Sequence, residues 1–246
     1  MEKHEYDVVA VGKGNAALCA ALAARDQGVK VALLEAASED EHGGNSRFAG
    51  GVMRFAYATL EDLRRVTDIT DEEAANSDFG TNTREEFLDV LFRLTSYRTD
   101  PDLSEILVNS SLDTMAWLRS RGARFILNHG RQSGMVNGKR KYFGNMPIEV
   151  NGGGAGLVQY LDAAAKKAGI EVFYDTRATA LLYDDERVSG VRAQRKGKRA
   201  EFHAKAVVLA CGGFEANPEM RARYLGPGWE LAKVRGTRFN TGDVIR

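Results

Sequence analysis

The strongest chemical signal in the chain lies near its N-terminus: Gly12 and Gly14, the small Ala16 and Ala17 behind them, and an acid, Glu35, 23 positions after Gly12. In Gly12-x-Gly14-x-x-Ala17 the first glycine permits a tight turn and the second lets the backbone approach a pyrophosphate. The third position must stay small so that helix and strand pack closely. A helix opening at this point offers unpaired backbone N–H groups and a partial positive charge to phosphates. Glu35 stands close to the ~20-residue separation at which a carboxylate hydrogen-bonds an adenosine ribose hydroxyl, and its charge would repel a 2′-phosphate, which disfavours NADP.

That chemistry needs a strand before the glycines and a helix after them. The β-branched run 6–11 supplies the strand, and the alanine-rich periodicity of 15–27, stopped by Gly28, supplies the helix. A second apolar run, 29–34, completes a βαβ unit and predicts a parallel sheet. Helical patterns follow over 60–66, 84–94 and 102–121. Residues 124–144 read as a basic, loop-like segment with strand character only at 124–127. The glycines at 152–156 lead into a helix over 157–168, followed by a strand at 170–174. Runs at 178–183, 187–194 and 200–203 read as an antiparallel meander, and 206–210 as a separate strand returning to the sheet. The fold class expected is α/β: a Rossmann-like fold with a parallel sheet, an antiparallel β-meander and a helical excursion. We read 1–246 as one domain, with the βαβ unit and a glycine loop at 1–54, the excursion at 55–150, and the second βα unit, meander and return strand at 151–246.

Composition narrows the partners. The chain has 246 residues, 34 Lys+Arg against 34 Asp+Glu, and 43% hydrophobic residues, enough for a real core and incompatible with disorder. Zero formal charge gives no long-range attraction to nucleic acid or an anionic membrane, so small molecules and other proteins are the expected partners. Cys19 and Cys211 have no metal-ligand spacing and sit among apolar residues, which suits free thiols in a reducing compartment. The start of the chain lacks an apolar signal core, and no apolar run approaches the ~20 residues of a membrane span, so the expected location is the cytoplasm. Glycine is in excess, 26 against 4 prolines, and clusters at Gly43-Gly44, Gly50-Gly51, Gly152 to Gly156 and Gly212-Gly213.

The fingerprint alone leaves FAD and NAD open. The stretch His42-Gly43-Gly44-Asn45-Ser46 with Gly50-Gly51 offers several backbone amides and small side chains in succession, which suits a long polar cofactor. With Ala210-Cys211-Gly212-Gly213-Phe214 and Thr241-Gly242-Asp243, these segments resemble the flavoprotein family of fumarate reductase and succinate dehydrogenase. Within that family the tricarballylate dehydrogenase type is most similar, through 51–57, Tyr97 to Asp102 and Gly213 to Met220. The resemblance covers essentially the whole chain and implies FAD. Gly12, Gly14, Asn15, Ala16 and Ala17 would cradle the pyrophosphate, and Glu35 with Ala36 would hold the adenosine ribose. Gly44, Asn45, Ser46, Gly50 and Gly51 would run beside the ribityl chain and flavin. The Ala178 backbone would meet the adenine end, and Ala210, Gly212, Gly213 and Asp243 would close the site.

The resemblance further implies hydrogen added or removed across a carbon–carbon bond beside a carboxylate, with a partner redox protein as electron acceptor. Carboxylates call for cationic clamps. Arg54, directly after Gly50-Gly51, is the candidate on the substrate side. Arg124, His129, Arg131, Lys139, Arg140 and Lys141 read first as a solvated charged loop. Val244 stands where the family motif continues with glycine, and the sequence reads as the N-terminal, FAD-binding part of such an enzyme, with the proton-transfer residue unassigned. A non-catalytic FAD-binding remnant or subunit and a 3-ketosteroid dehydrogenase-like flavoprotein are the alternatives. An NAD-dependent dehydrogenase is disfavoured by the Gly43 to Gly51 loop. Members that bind flavin covalently carry histidine where Gly44 aligns, so non-covalent FAD is expected. Acid precipitation should leave a colourless pellet and all the flavin in the supernatant; flavin retained by the pellet contradicts this.

Overall fold

A computed structural model describes residues 2–245; Met1 and Arg246, which the sequence reading includes in the domain, lie outside the described residues. In chain order the elements begin with β1 (Glu2–Val11), α1 (Asn15–Asp26) and β2 (Val31–Leu34). They continue with α2 (Leu60–Arg64), α3 (Asp71–Ala75), β3 (Ser77–Asp78), α4 (Arg84–Leu94), α5 (Pro101–Ser120), β4 (Phe125–Leu127), β5 (Ser133–Val136), β6 (Lys139–Tyr142) and β7 (Ile148–Val150). The chain then forms α6 (Gly153–Lys167), β8 (Glu171–Phe173), β9 (Thr176–Asp184), β10 (Arg187–Arg195), β11 (Lys198–Leu209) and α7 (Pro218–Leu225).

Two compact units result, one from residues 2–49 with 154–245 and the other Gly50–Gly153. In the first, a six-stranded sheet has the order β8-β2-β1-β11-β10-β9. The pairs from β8 through β11 are parallel, whereas β10 and β9 continue antiparallel. Val9, Val11, Leu34, Val191 and Phe202 are buried together on this sheet. The mixed parallel and antiparallel sheet is the α/β architecture expected.

Two predicted strands prove to be one. Residues 200–203 and 206–209 lie in the single strand β11, because β1 runs four residues further toward the N-terminus than the apolar run and pairs with β11 from Glu2↔Ala200 to Val11↔Leu209. The first half of β11 also pairs with β10, so its backbone groups are satisfied without a break. The helix expected from 157 begins at Gly153, four residues earlier.

In the second unit, α2, α3 and α4 each start at a threonine capping box, with Thr59, Thr70 and Thr83 each bonded to the amide three residues on. Asp100 caps α5 just before Pro101. Beyond the expected helices, this unit also contains short sheets. The segment read as a basic loop contains the hairpin β5–β6, turned at Asn137-Gly138, both with positive φ (49° and 77°). Its charges are partly paired within the unit: Arg140 donates to Ser133 Oγ at 3.1 Å and Lys141 lies 3.7 Å from Asp78.

The loop carrying Gly44 to Phe48 is pinned on α6. Gly154 N–H donates to the Ala49 carbonyl at 2.9 Å, and a Cβ on Gly154 would lie 2.1 Å from the Ser46 carbonyl oxygen. Gly→Ala inside a helix ordinarily stabilises. Gly154→Ala should instead cost about 1–3 kcal/mol of unfolding free energy, read by urea denaturation, because the backbones must separate.

Candidate functional site

In the first unit β1, β2 and β11 end side by side, with Val11 opposite both Leu34 and Leu209. The residues that follow them, Gly12, Glu35 and Ala210, therefore meet at one edge of the sheet, where open α/β sheets bind ligands. Gly12 has φ +110°, and a Cβ there would lie 2.5 Å from the Ala210 carbonyl oxygen, so only glycine fits. Gly14 is the N-cap of α1 and supplies no side-chain cap. Ser46 partly compensates by accepting the Asn15 N–H at 3.0 Å. The remaining first-turn amides of α1 have no intrahelical acceptor. Ala17 is fully buried, as close packing of helix and strand requires.

Glu35 is buried, and its Oε1 accepts the Ala37 N–H at 2.8 Å. Burial pushes its carboxyl above the ordinary range, opposed by that amide and by the positive charge of Lys13. Lys13, between the two glycines, is fully buried and paired with Asp162 of α6. Burial pulls its ammonium down from its ordinary value, and Asp162 pulls it back up.

These residues open onto a cleft of about 750 Å³, within the ~300–1,000 Å³ typical of small-molecule sites. Gly12, Gly14, Asn15, Ala16, Glu35, Ala36, Gly44, Asn45, Ser46, Ala178, Ala210, Gly212 and Asp243 line it. Gly213 is outside the lining; a Cβ there would lie 2.8 Å from the Glu215 carboxylate, and its carbonyl accepts from Gly242 N–H at 3.0 Å. Gly50, Gly51 and Arg54 belong to the second unit. There Arg54 donates to the Gly144 carbonyl at 2.9 Å and lies over the Phe87 ring. The His129 ring nitrogen is 3.0 Å from the Tyr142 hydroxyl, and Arg131 donates to the Gly50 carbonyl at 3.0 Å.

Several lining residues carry no motif of their own. Thr176 and Arg177 come from β9, and Thr237 and Asn240 from the C-terminal segment. Arg177 lies 2.6 Å from Asp243 and donates to Thr241 Oγ1 at 2.6 Å, tying β9 to that segment. Asn45 Oδ1 accepts the Thr237 N–H at 2.9 Å, which ties the glycine loop to the same segment.

The cleft fits a flavin adenine dinucleotide. A donor-rich turn suits a diphosphate, a buried acid beyond it suits ribose hydroxyls, and Ala178, Ala180, Leu181 and Val191 give an apolar wall for a flat ring. Comparison with known proteins agrees: the family model described as FAD binding domain matches residues 7–246. The chain belongs to the FAD binding domain family. The fumarate reductase (cytochrome) of Shewanella frigidimarina is 31% identical over 224 residues, 88% of this chain and 35% of that protein. The 3-oxosteroid 1-dehydrogenase of Comamonas testosteroni is 43% identical over 96 residues, 38% of this chain and 17% of that protein. Among solved structures, the open conformation of a flavocytochrome c3 fumarate reductase superposes with TM-score 0.74 at 28% identity, over 98% of this chain and 39% of that one. This FAD binding domain thus spans about a third of the length of the fumarate reductases it matches. Among the described residues, no helix is long and apolar enough to cross a membrane.

Glu35 yields a test with opposed signs. Its native carboxyl keeps its proton to higher pH than the ordinary 4.5, so ionising it costs native stability progressively as pH rises from there through the raised native value. Glu35→Gln should therefore raise the melting temperature of the apoprotein at neutral pH. The same substitution should weaken FAD binding by about 10–100-fold, the loss of charge-assisted hydrogen bonds, measured by titration of flavin fluorescence.

Proposed function

We propose that this chain is the cofactor-binding part of an FAD-dependent oxidoreductase acting on a carbon–carbon bond beside a carboxylate, with tricarballylate or a fumarate- or succinate-like acid as substrate. The observation that carries the reading is the 31% identity with a fumarate reductase along 88% of the chain, combined with a cleft built at the ends of β1, β2 and β11. When bound, FAD supplies hydride exchange with the substrate.

The chain's own residues bind and orient. The Gly12–Gly14 turn and the start of α1 receive the diphosphate, Glu35 accepts from ribose hydroxyls, and the β9 wall with Ala178 shields the adenine end from water. Asn45 and Ser46 hold the glycine loop in place through Thr237 and Asn15. Arg54 is the cation we assign to the carboxylate side, and a redox protein in the same reducing compartment is the assigned electron partner. A steroid substrate is the second reading, favoured by the 43% identity over 96 residues with a 3-oxosteroid 1-dehydrogenase.

Anaerobic mixing of the photoreduced flavoprotein with each substrate class separates them. Fumarate or an unsaturated tricarboxylate should restore the oxidised flavin band. Reoxidation by a 1,4-diene-3-ketosteroid but by neither acid would transfer the assignment to the steroid class.

A further inference from the structure

Lys13 occupies a position where a phosphate-binding turn has no requirement for a long side chain, yet its side chain is fully buried. Its ammonium is clamped against the Asp162 carboxylate of α6 and lies 3.2 Å from His42 Nδ1 and 5.3 Å from the Tyr174 ring centroid. Asp162 also holds Lys166 at 3.1 Å. The backbone amide of Lys13 faces the Glu35 carboxylate. One residue thereby joins the phosphate turn, the ribose acid, the loop leading to Gly44, and α6. Burying an ammonium is costly unless it is paired, and an apolar side chain of the same length would fill the space without that cost. The ion pair is therefore better explained by the geometry it fixes than by stability.

We infer that Lys13 is a positioning residue for the cofactor: anchored on Asp162, it holds the phosphate turn and Glu35 in the arrangement that receives a diphosphate and its ribose. This rests on FAD occupying the cleft. An ammonium only donates, so His42 Nδ1 accepts and the imidazole is neutral. Lys13, Asp162 and Lys166 face this ring from the turn and α6, Arg47 from its own loop, and Tyr174 from the end of β8 at 5.7 Å between centroids. Burial and the Lys13 charge hold His42 below its ordinary 6.5, so its protonation, which sets two cations against each other, falls in the acid range.

The test is titration of FAD into apoprotein, with the apoprotein melting temperature measured alongside. Lys13→Met leaves Asp162 with only the exposed Lys166 as partner and should melt lower. Lys13→Met/Asp162→Met removes both charges and should melt close to the wild type, yet bind FAD at least about tenfold more weakly. His42→Gln keeps an acceptor for the ammonium but cannot protonate. It should match wild-type affinity near about pH 7 and lose less of it near about pH 5. Double-variant affinity within about twofold of the wild type, or equal acid loss in wild type and His42→Gln, overturns the role of Lys13 and leaves the cofactor reading intact. Wild-type protein that binds no FAD overturns both.

Discussion

Parallel pairing of β1 on both of its sides is the constraint from which the cleft follows. β2 on one flank comes from the next segment of chain and β11 on the other from far downstream, so β1 lies where the connections diverge to opposite sides. Because the three strands run in the same direction and stay in register to Val11, Leu34 and Leu209, whatever follows each of them is delivered to the same edge. The turn, the acid and the floor of the cleft are consequences of that register. It also explains why Gly12 tolerates no side chain: the backbone continuing from β11 already fills the space against it.

Around that edge, charged groups are held by partners both near and far along the chain. Glu35 is steadied by backbone amides, Lys13 by a helix carboxylate, and Arg177 by Asp243. These contacts join β9, α6, the glycine loop and the C-terminal segment to the phosphate turn. The binding surface is thus assembled from pieces that have little local reason to adopt their shape.

That distinction accounts for what could be read from the residues. Signals that act over a few positions were legible: the glycine turn with its strand and helix, Glu35 after β2, and α4, whose limits follow from its periodicity and its Thr83 cap. Features that depend on distant partners were not. Residues 2–5 carry no apolar pattern and become strand because β11 is beside them, and the same pairing carries β11 across Ala204-Lys205. Thr176, Arg177, Thr237 and Asn240 reach the cleft through tertiary contacts that no spacing reveals. The hairpin at Asn137-Gly138 is different, since that dipeptide is a strong local turn signal that the charge of its surroundings obscured.

The pairing of Glu2 with Ala200 has a consequence for synthesis. At ~5–20 residues per second, β1 emerges roughly 10–40 s before the strand that covers its long side, and contacts of such sequence separation form slowly because loop closure precedes any gain. During that interval one edge of an apolar strand is open to other chains. The cleft cannot form in that interval, because part of its wall, from Thr176 to Asp243, has yet to be made. Cofactor loading is therefore a late event, and yield in a cell should depend on protection of the nascent N-terminal strand as much as on the supply of flavin.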